Sequence, residues 1–410
     1  MPNPRQLART GLALAALAAL PAVASATDFV NFETPHVHPL DLSPDRATLA
    51  AVNTADNSLE LFDVADGTPR SLGSVSVGLD PVTARFRSSR EVWVVNQISD
   101  SVSVVDVPTR RVRATLATDD EPADVVFAGS PERAFVSCSQ PSSVLVFDPE
   151  RLDRRPRRIE VEAEEPRAMA VGADGGTVFV ALFESGNRST VLAGGFDVDQ
   201  IDDTPTVPPN VVSDPEGPYG GVNPPPNRGG VFEPPLSAAL PPPPPVSLIV
   251  KRDAGARWMD DNGGDWTDFV SGARAGRSGR RPGWEVVDRD VAVIDAATLE
   301  VGYLEGLLNA VMAIAVQPRS GRVTAVGTDA TNEVRFEPLL NGRFLRVNLA
   351  RAGAAGPAEV LDLNPHLTYE TPRVPAAMRK RSLGDPRAIV WSAAGDRGFV
   401  AGMGSNNVVE

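Results

Sequence analysis

Cysteine and histidine are scarce in this sequence, and their scarcity excludes several kinds of site. Of 410 residues, one is a cysteine, Cys138, and three are histidines, His36, His38 and His366. A single cysteine cannot form an internal disulfide bond, a CxxC zinc site or a CxxCH haem attachment. Three histidines leave little for a histidine-rich metal centre. A chain of this length can instead be stabilised by a large apolar core.

Recognisable catalytic motifs are also lacking. The sequence has no GxSxG elbow, no GxGxxG after an apolar strand, no P-loop and no HExxH. Cys138 ends an apolar segment, and the three histidines lie in distant parts of the chain. We therefore expect Cys138 to be a small core residue and not a nucleophile, and we expect His366, after Asn364-Pro365, to lie in a turn. The sequence predicts no catalytic residue.

Positive charge is in short supply. Lys and Arg number 39 against 53 Asp and Glu, which gives a formal net charge of −14. A phosphate backbone or an anionic membrane surface would repel such a chain. Nucleic acid is therefore excluded as the default partner.

An apolar run long enough for a permanent transmembrane helix is missing as well. The run at residues 11–20 follows Arg5 and Arg9 and precedes Ala24-Ser25-Ala26. This order of charge, apolar run and small-x-small site is typical of a cleaved secretory signal peptide. We expect residues 1–26 to be removed and the mature protein to be periplasmic or secreted, without a transmembrane anchor.

What the sequence does have is an internal repeat of about 42 residues. An apolar strand ending in an acid recurs at Asp63, Asp106, Asp148, Asp295 and Glu337. A second apolar strand with a short polar loop recurs at residues 49–57, 92–100, 134–142, 178–187, 323–332 and 398–406. An acid followed by proline opens the next strand at Asp80, Glu121, Glu165 and Asp385, and His38-Pro39 takes this place in the first unit.

Each unit provides about four short strands separated by turns, which is typical of a β-propeller blade. The sequence predicts an all-β fold, a β-propeller of four-stranded antiparallel blades spanning residues 27–410, with five full blades and a partial sixth. The alternative is a β-sandwich or two small β-domains. The sixth unit stops at Glu410, before a final strand and any seventh blade. We expect the chain to be a fragment of a longer gene product or a truncated one.

The repeat resembles that of the YVTN-type β-propeller proteins of bacterial envelopes. The resemblance lies in Val92-Trp93-Val94-Val95-Asn96, followed by Ser101-Val102-Ser103-Val104-Val105-Asp106 and Thr109. It covers residues 29–193 and 288–410. The resemblance implies a propeller, often of seven blades. It indicates almost nothing about the chemistry, because one fold hosts many functions.

A long insertion interrupts the fourth unit at residues 193–288. Residues 204–245 hold 15 prolines and end in a run of five, which cannot form a central strand. The second half instead carries Trp258, Trp266, Phe269 and Trp284. Proline favours a disordered excursion and the aromatic residues favour an ordered lid, and we expect a partly ordered flap. Residues 189–192 and 290–294 could each be the strand that continues the fourth blade.

The acid–proline pairs should lie next to the innermost strands, around one mouth of the central channel. Carboxylates gathered there could hold Ca²⁺ or another divalent cation. The candidate ligands are His36, His38, Asp80, Glu121, Glu165 and Asp385. The alternative is that an acid before proline is ordinary turn chemistry at a strand start, which a repeat copies without any functional demand.

A second candidate calcium loop lies in the insertion, with Asp260, Asp261, Asn262 and Asp265. It lacks the EF-hand spacing and the acid at position twelve, so a tight acidic turn is the better interpretation.

Three functions remain open at this point. The first is a secreted or periplasmic module that binds a protein, a cell-surface polymer or a small molecule through one channel face and the insertion. The second is a metal-assisted hydrolase or lactonase with Glu121, Glu165 and Asp385 as ligands. The third, implied by the resemblance, is an accessory partner of a periplasmic c-type cytochrome or quinoprotein.

Overall fold

Short antiparallel strands are the dominant secondary structure of the described residues. The computed structural model describes residues 35–192, 210–225, 239, 247–333, 343–353, 358–369 and 374–410. Within these residues the strands form seven sheets of three or four strands each. The predicted signal peptide, the proline run 241–245 and Glu337 lie outside the described residues. No helix of the described chain has the length and apolar character needed to cross a bilayer.

The first three blades follow one another without interruption. Blade 1 contains β1 (Leu40–Leu42), β2 (Thr48–Asn53), β3 (Ser58–Asp63) and β4 (Arg70–Ser76). Blade 2 contains β5 (Pro81–Ser88), β6 (Glu91–Asn96), β7 (Ser101–Asp106) and β8 (Arg111–Ala117). Blade 3 contains β9 (Pro122–Ala128), β10 (Arg133–Cys138), β11 (Ser143–Phe147) and β12 (Arg157–Glu160).

The insertion divides the fourth blade between its second and third strands. Blade 4 contains β13 (Glu164–Val171), β14 (Thr177–Glu184), β18 (Val291–Asp295) and β19 (Val301–Leu304). The insertion has its own sheet of β15 (Ser189–Leu192), β16 (Leu248–Arg252) and β17 (Trp258–Met259), and the short helix α1 (Thr267–Val270). Of the two segments that could continue the blade, β18 pairs with β14, whereas β15 pairs with β16 of the insertion.

The last two blades complete the described fold. Blade 5 contains β20 (Ala310–Val316), β21 (Val323–Glu333), β22 (Arg343–Ala352) and β23 (Glu359–Asp362). After the short helix α2 (Ala376–Arg379), blade 6 contains β24 (Pro386–Trp391), β25 (Gly398–Gly402) and β26 (Asn407–Val409). The predicted propeller of five full blades and a partial sixth is thus confirmed for the described residues. In blade 5 the third strand is β22, whereas the repeat of about 42 residues predicts that this strand ends at Glu337. The repeat spacing therefore does not predict the position of the third strand in this blade.

Strand β6 explains why the blades can have nearly continuous apolar strands. Side chains alternate between the two faces of a strand. Val92 and Val94 pack in the cluster that joins blades 1 and 2, and Trp93 and Val95 pack in the cluster that joins blades 2 and 3. Both faces of the sheet are therefore buried against a neighbouring blade. The apolar run is a consequence of face-to-face stacking.

The acid that ends the third strand of a blade forms the following turn. Asp106 accepts hydrogen bonds from the backbone N–H of Thr109 at 2.9 Å and from its hydroxyl at 2.6 Å. Asp295 likewise accepts the N–H of Thr298 at 2.7 Å. The carboxylate accepts hydrogen bonds from N–H and O–H groups of the turn, which no longer pair with a neighbouring strand, as is usual for Asp in turns. The acid at this position of the repeat therefore has a local structural role in the turn.

Candidate functional site

The acid–proline positions form a repeated left-handed turn. Asp80, Glu121, Glu165 and Asp385 lie at or just before the first strand of a blade, with φ of 58°, 51°, 50° and 50°. The carbonyl of Asp80 accepts the N–H of Gln97 at 2.9 Å, and the carbonyl of Glu121 accepts that of Ser139 at 3.0 Å. These bonds join the start of the first strand to the residue after the second. The main chain alone gives these positions a structural role.

The same turns connect one blade to the next. The N–H of Asp80 donates to Oδ1 of Asn57, in the β2–β3 loop of blade 1, at 2.8 Å. The N–H of Glu121 donates to Oδ1 of Asp100, in the β6–β7 loop of blade 2, at 3.2 Å. A polar side chain in each loop therefore fixes the entry to the following blade. This explains why the polar residue recurs with the repeat.

Arginine side chains accompany the carboxylates at this end of the blades. Nε of Arg387 donates to Oδ1 of Asp385 at 2.7 Å. The guanidinium carbons of Arg167 and Arg387 lie 5.6 and 6.0 Å from the ring centroid of Phe183. Burial lowers the pKa of Arg167, and nearby Arg387 lowers it further, whereas Glu165 and Glu121 act in the opposite direction. A metal cation would share this region with two guanidinium groups.

The predicted ligands are not gathered around one point. Among the described residues, no group of three or more His, Cys, Asp or Glu side chains is placed to hold a metal ion. Nε2 of His36 lies 2.6 Å from Oγ1 of Thr54, whose hydroxyl donates to the carbonyl of Pro81 at 2.7 Å. His36 must therefore be the donor to Thr54. A calcium ion at the channel mouth stays a prediction, and the described contacts supply no coordination sphere for it.

His38 contacts a buried carboxylate that the sequence analysis missed. Nδ1 of His38 lies 2.7 Å from Oδ2 of Asp124 and 2.8 Å from Nη2 of Arg85. The same Asp124 oxygen accepts the N–H of Met169 at 2.6 Å. Burial by itself raises the pKa of Asp124, but the contacts with His38, Arg85 and Met169 outweigh it and leave the pKa below its usual value. The sequence feature that could have indicated this contact is the acid Asp124 inside the otherwise apolar strand β9.

The acidic loop of the insertion is organised around Asp260. Its carboxylate accepts hydrogen bonds from the hydroxyl of Tyr219 at 2.9 Å and from Nε1 of Trp266 at 2.9 Å. It also accepts the backbone N–H groups of Asn262 and Gly264. Asp265 accepts the N–H of Thr267 at the start of α1. These contacts give Asp260 and Asp265 structural roles, as the tight-turn interpretation predicts, and the calcium alternative stays a prediction.

Cys138 and His366 occupy the positions expected of them. Cys138 is fully buried in the cluster between blades 2 and 3, and burial raises the pKa of its thiol to about 12. His366 lies in a turn, where Nε2 is 3.1 Å from the carbonyl of Met378 and 3.1 Å from the hydroxyl of Ser382. Neither arrangement resembles an activated nucleophile and its base.

The second half of the insertion packs as an ordered unit beside the fourth blade. Trp258, Trp266 and Phe269 are buried in a cluster with the apolar residues of β15 and β16. Trp284 lies at the edge of this cluster, with its ring centroid 5.6 Å from that of Trp258. The guanidinium carbon of Arg280 lies 4.8 Å from the centroid of Trp284. The aromatic residues therefore hold the returning chain at 284–287 in a defined place.

A cleft of about 750 Å³ lies where this returning chain meets blades 4 and 5. Its walls are residues 162–164, which lead into β13, residues 183–186 at the end of β14, residues 284–287 and 289 of the return, and residues 309–310 at the start of β20. Connections between blades and between second and third strands open on the same face of a propeller. The cleft therefore lies on the face that the sequence analysis selected, and we call it the insertion cleft.

Hydrogen bonds and one cation–π contact fix the walls of the insertion cleft. Nη1 of Arg289 lies 3.0 Å from Oε2 of Glu162, and its guanidinium carbon lies 4.1 Å from the ring centroid of Tyr303. The N–H of Glu162 donates to the Tyr303 hydroxyl at 2.8 Å. On the other side, the buried hydroxyl of Ser185 donates to the carbonyl of Leu308 at 3.2 Å. The cleft walls are therefore held by contacts of blade 4 and of the segments that connect it to the neighbouring blades.

Two carboxylates face each other in this cleft. Glu164 and Glu184 are cross-strand partners in the β13–β14 ladder. The hydrogen bond to Glu164 raises the pKa of Glu184, and burial and the charge of Glu165 add to the effect. Sequence reasoning selected Glu165 and missed this pair, because the pairing depends on the register of two strands.

Comparisons with solved structures agree with the fold. Hydrazine synthase from Kuenenia stuttgartiensis is similar with a TM-score of 0.54 and 16% identity, over 93% of this chain and 78% of that one. A 6-phosphogluconolactonase-like protein from Bacteroides uniformis has a TM-score of 0.46 and 12% identity, over 90% of this chain and 78% of that one. At 16% identity, the likeness to hydrazine synthase shows the β-propeller fold alone. No protein-family model and no curated protein matches the chain.

Proposed function

We propose that this protein is a periplasmic or secreted binding module whose ligand occupies the insertion cleft. The observation that carries the proposal is the cleft itself, formed where the insertion returns to blade 4. Its volume of about 750 Å³ falls within the range typical of small-molecule sites, roughly 300–1,000 Å³. Its walls include apolar side chains such as Val286 together with the carboxylates of Glu164 and Glu184. This mixture of apolar surface and a few polar groups is the usual composition of a ligand site.

The way the cleft is built supports the same role. Blades 4 and 5 supply a rigid floor, and the insertion adds a wall held by its own aromatic cluster. Gly186 allows the return to approach closely, because a Cβ at this position would lie 3.0 Å from the carbonyl oxygen of Val287. Sites with support from rigid elements bind without a large ordering cost. The insertion is thus an addition to a propeller that creates a concave surface.

The binding role is favoured over metal-assisted hydrolysis by the contacts of the predicted ligands. Asp385 accepts a hydrogen bond from Arg387, and Arg167 lies close to Glu121 and Glu165. A hydrolytic metal needs carboxylates that are free to coordinate it. The insertion cleft offers a site that does not depend on those residues.

A cleft-filling variant tests the proposal. Val287 lines the cleft and is 57% exposed, so V287W would fill it without disturbing the core. Val222 is 68% exposed and is not among the residues that line the cleft, so V222W is the matched control. The probe is a fragment library of neutral, cationic and anionic compounds, followed by ligand-observed NMR. We expect fragments that bind the parent protein and V222W and are lost with V287W. A library without hits, or hits that V287W leaves unchanged, would overturn the proposal.

Export is tested separately. Residues 1–26 have the order of a cleaved signal peptide, so we expect the protein recovered from intact producing cells to begin near Thr27. N-terminal sequencing and cell fractionation give the answer. A cytoplasmic protein that retains Met1 or Pro2 at its start would contradict the proposed location.

A further inference from the structure

A second, smaller pocket lies beside the chain that returns from the insertion. Its volume is about 250 Å³. Residues 284–287 and 289 of the return line the insertion cleft, whereas Asp288 lines this pocket. The rest of its wall consists of residues 187–188 before β15, 251–252 of β16, 306–308 before β20, and 329 of β21. We call it the return pocket, and it shares no lining residue with the insertion cleft.

Hydrogen bonds fix the wall of the return pocket. Leu307 and Leu308 each donate a backbone N–H to the carboxylate of Asp290 at 2.9 Å. Nδ2 of Asn187 donates to the carbonyl of Ala330, in β21, at 2.9 Å. These bonds hold the segments before β15 and β20 against blades 4 and 5. A ligand therefore meets a preformed wall, which lowers the ordering cost of binding.

Asp288 has a buried carboxylate oxygen without a hydrogen-bond donor. The residue is 7% exposed. Its Oδ2 lies 2.6 Å from Nε of Arg188, whereas no described residue donates a hydrogen bond to its Oδ1. A buried polar atom is almost always hydrogen-bonded, because burial without a partner is unfavourable. The orphaned oxygen therefore indicates that a donor is supplied by a ligand of the pocket that Asp288 lines.

Cationic side chains line the same small pocket. They are Arg188, Lys251 and Arg252. Nη2 of Arg252 is paired with Glu285 at 2.7 Å, and Arg188 is paired with Asp288. Lys251 is exposed and, within the part of the chain that the structure describes, forms no ion pair. Its ammonium group is therefore free to bind an anionic group in the pocket.

The mixture of charges favours a zwitterion over a simple ion. A metal cation would lie among three cationic side chains, and in the described ranges no three acidic, Cys or His side chains form a metal-binding group. A multivalent anion such as phosphate would be repelled by the carboxylates of Asp288 and Asp329. The volume is below the range typical of drug-sized ligands, roughly 300–1,000 Å³. A small molecule that carries both an ammonium group and a carboxylate matches the size and the charges.

We propose that the return pocket binds a small free α-amino acid, with its ammonium group donating to Oδ1 of Asp288 and its carboxylate paired with Lys251. Both contacts are charge-assisted hydrogen bonds, which are stronger than bonds between neutral groups. The return pocket is a second site beyond the binding function of the insertion cleft, and its ligand does not depend on the ligand of that cleft.

The experiment compares alanine with probes that each lack one of its features. Propionate lacks the ammonium group, ethylamine lacks the carboxylate, and N,N,N-trimethylglycine has both charges but no N–H donor. Ligand-observed NMR titrations of the full chain give the dissociation constants. We expect alanine to bind most tightly, and each of the other probes to bind about tenfold more weakly or worse, as expected for the loss of a charge-assisted hydrogen bond.

Matched variants locate the site. D288N keeps the size of the side chain and removes its charge, so it should weaken alanine binding about tenfold or more. K251Q tests the other end of the ligand at an exposed position, without touching the buried pair of Asp288 and Arg188, and it should weaken alanine and propionate alike. The chain has one other lysine, Lys380, which is exposed and does not line the pocket, so K380Q is the control.

The outcomes decide the proposal even if D288N fails to fold, because the probe series and K251Q use an intact Asp288. Propionate, ethylamine or trimethylglycine binding as tightly as alanine would overturn it, and so would alanine binding that K251Q leaves unchanged or that is absent in the parent protein. Fragment binding that V287W abolishes would in each of these cases still support the insertion cleft as a separate site.

Discussion

The carboxylate of Asp290 accepts a hydrogen bond of 2.9 Å from the backbone N–H of Leu308, and its second oxygen accepts one of 2.9 Å from Leu307. Asp290 is fully buried at the point where the insertion returns to blade 4. It thereby fixes the segment that leads into β20 and the cleft wall at Asn309 and Ala310. One buried acid connects the two blades between which the cleft lies.

The first prediction concerns the pH dependence that Asp290 produces. Burial raises its pKa from 3.8 to about 7. Between these values the folded state retains a proton that the unfolded state has lost, so the free energy of unfolding falls as pH rises from about 4 to 7, by up to about 1.4 kcal/mol per pH unit. Above pH 7 this contribution no longer changes. D290N should remove this part of the slope in urea unfolding measured at several pH values.

A control separates this effect from the other acids of the chain. Asp56 is exposed in the turn between β2 and β3, so D56N should leave the slope as it is in the parent protein. Equal slopes in D290N and the parent protein would show that Asp290 does not hold a proton near neutral pH.

The second prediction concerns the buried Asp124. Because D124N leaves Arg85 and His38 without their carboxylate, we expect it to lower the free energy of unfolding by about 3–5 kcal/mol. The pKa of Asp124 lies below its usual value, so its stabilising contribution should be lost as pH falls through the folded pKa. Urea unfolding measures both effects. D153N, at an exposed site, should cost little, and a loss of similar size in both variants would contradict the prediction.

The third prediction tests the role of Asp260. D260A removes the acceptor of the buried Trp266 indole, so it should loosen the insertion at a cost of about 1–3 kcal/mol for this unsatisfied donor. Limited proteolysis should show faster cleavage within residues 247–290, with the blades still protected. D153A, at an exposed acid outside the insertion, is the control.

The same experiment addresses calcium. If Asp260 acts as a hydrogen-bond acceptor, CaCl₂ and EDTA should give the same cleavage pattern for the parent protein. Protection that depends on calcium would instead support the metal loop that the acidic sequence suggested.

The sequence was sufficient to predict the blades because the signals for them are local and repeated. Val92 and Trp93 are adjacent in the chain, both are apolar, and each faces a different neighbouring blade. The sequence alone therefore indicates that both faces of β6 are buried. The αL turns at Asp80 and Glu121 repeat with the same period. Each of these features is formed by residues within one or two units.

The cleft could not be predicted in the same way. The pairing of Glu164 with Glu184 depends on the register between β13 and β14, and an acid at either position alone is typical of an exposed strand end. Trp284 reaches the cleft only because β15 and β16 form a separate sheet and the chain then returns to β18. Asp124 was missed because a single acid in an apolar strand does not indicate its distant partners, His38 and Arg85.

The fourth prediction concerns Glu164 and Glu184, the cross-strand carboxylates of the cleft. E184Q removes one of two like charges that face each other, so we expect it to raise the free energy of unfolding by about 0.2–1 kcal/mol at neutral pH. The gain should shrink as pH falls, because the pKa of Glu184 is already raised and the parent carboxyl becomes neutral first. Urea unfolding at neutral and acidic pH measures the gain, and E300Q, at an exposed site that does not line the cleft, is the control. A loss of stability in E184Q would contradict the prediction and would mean that the carboxyl group makes a favourable contact that the amide cannot replace.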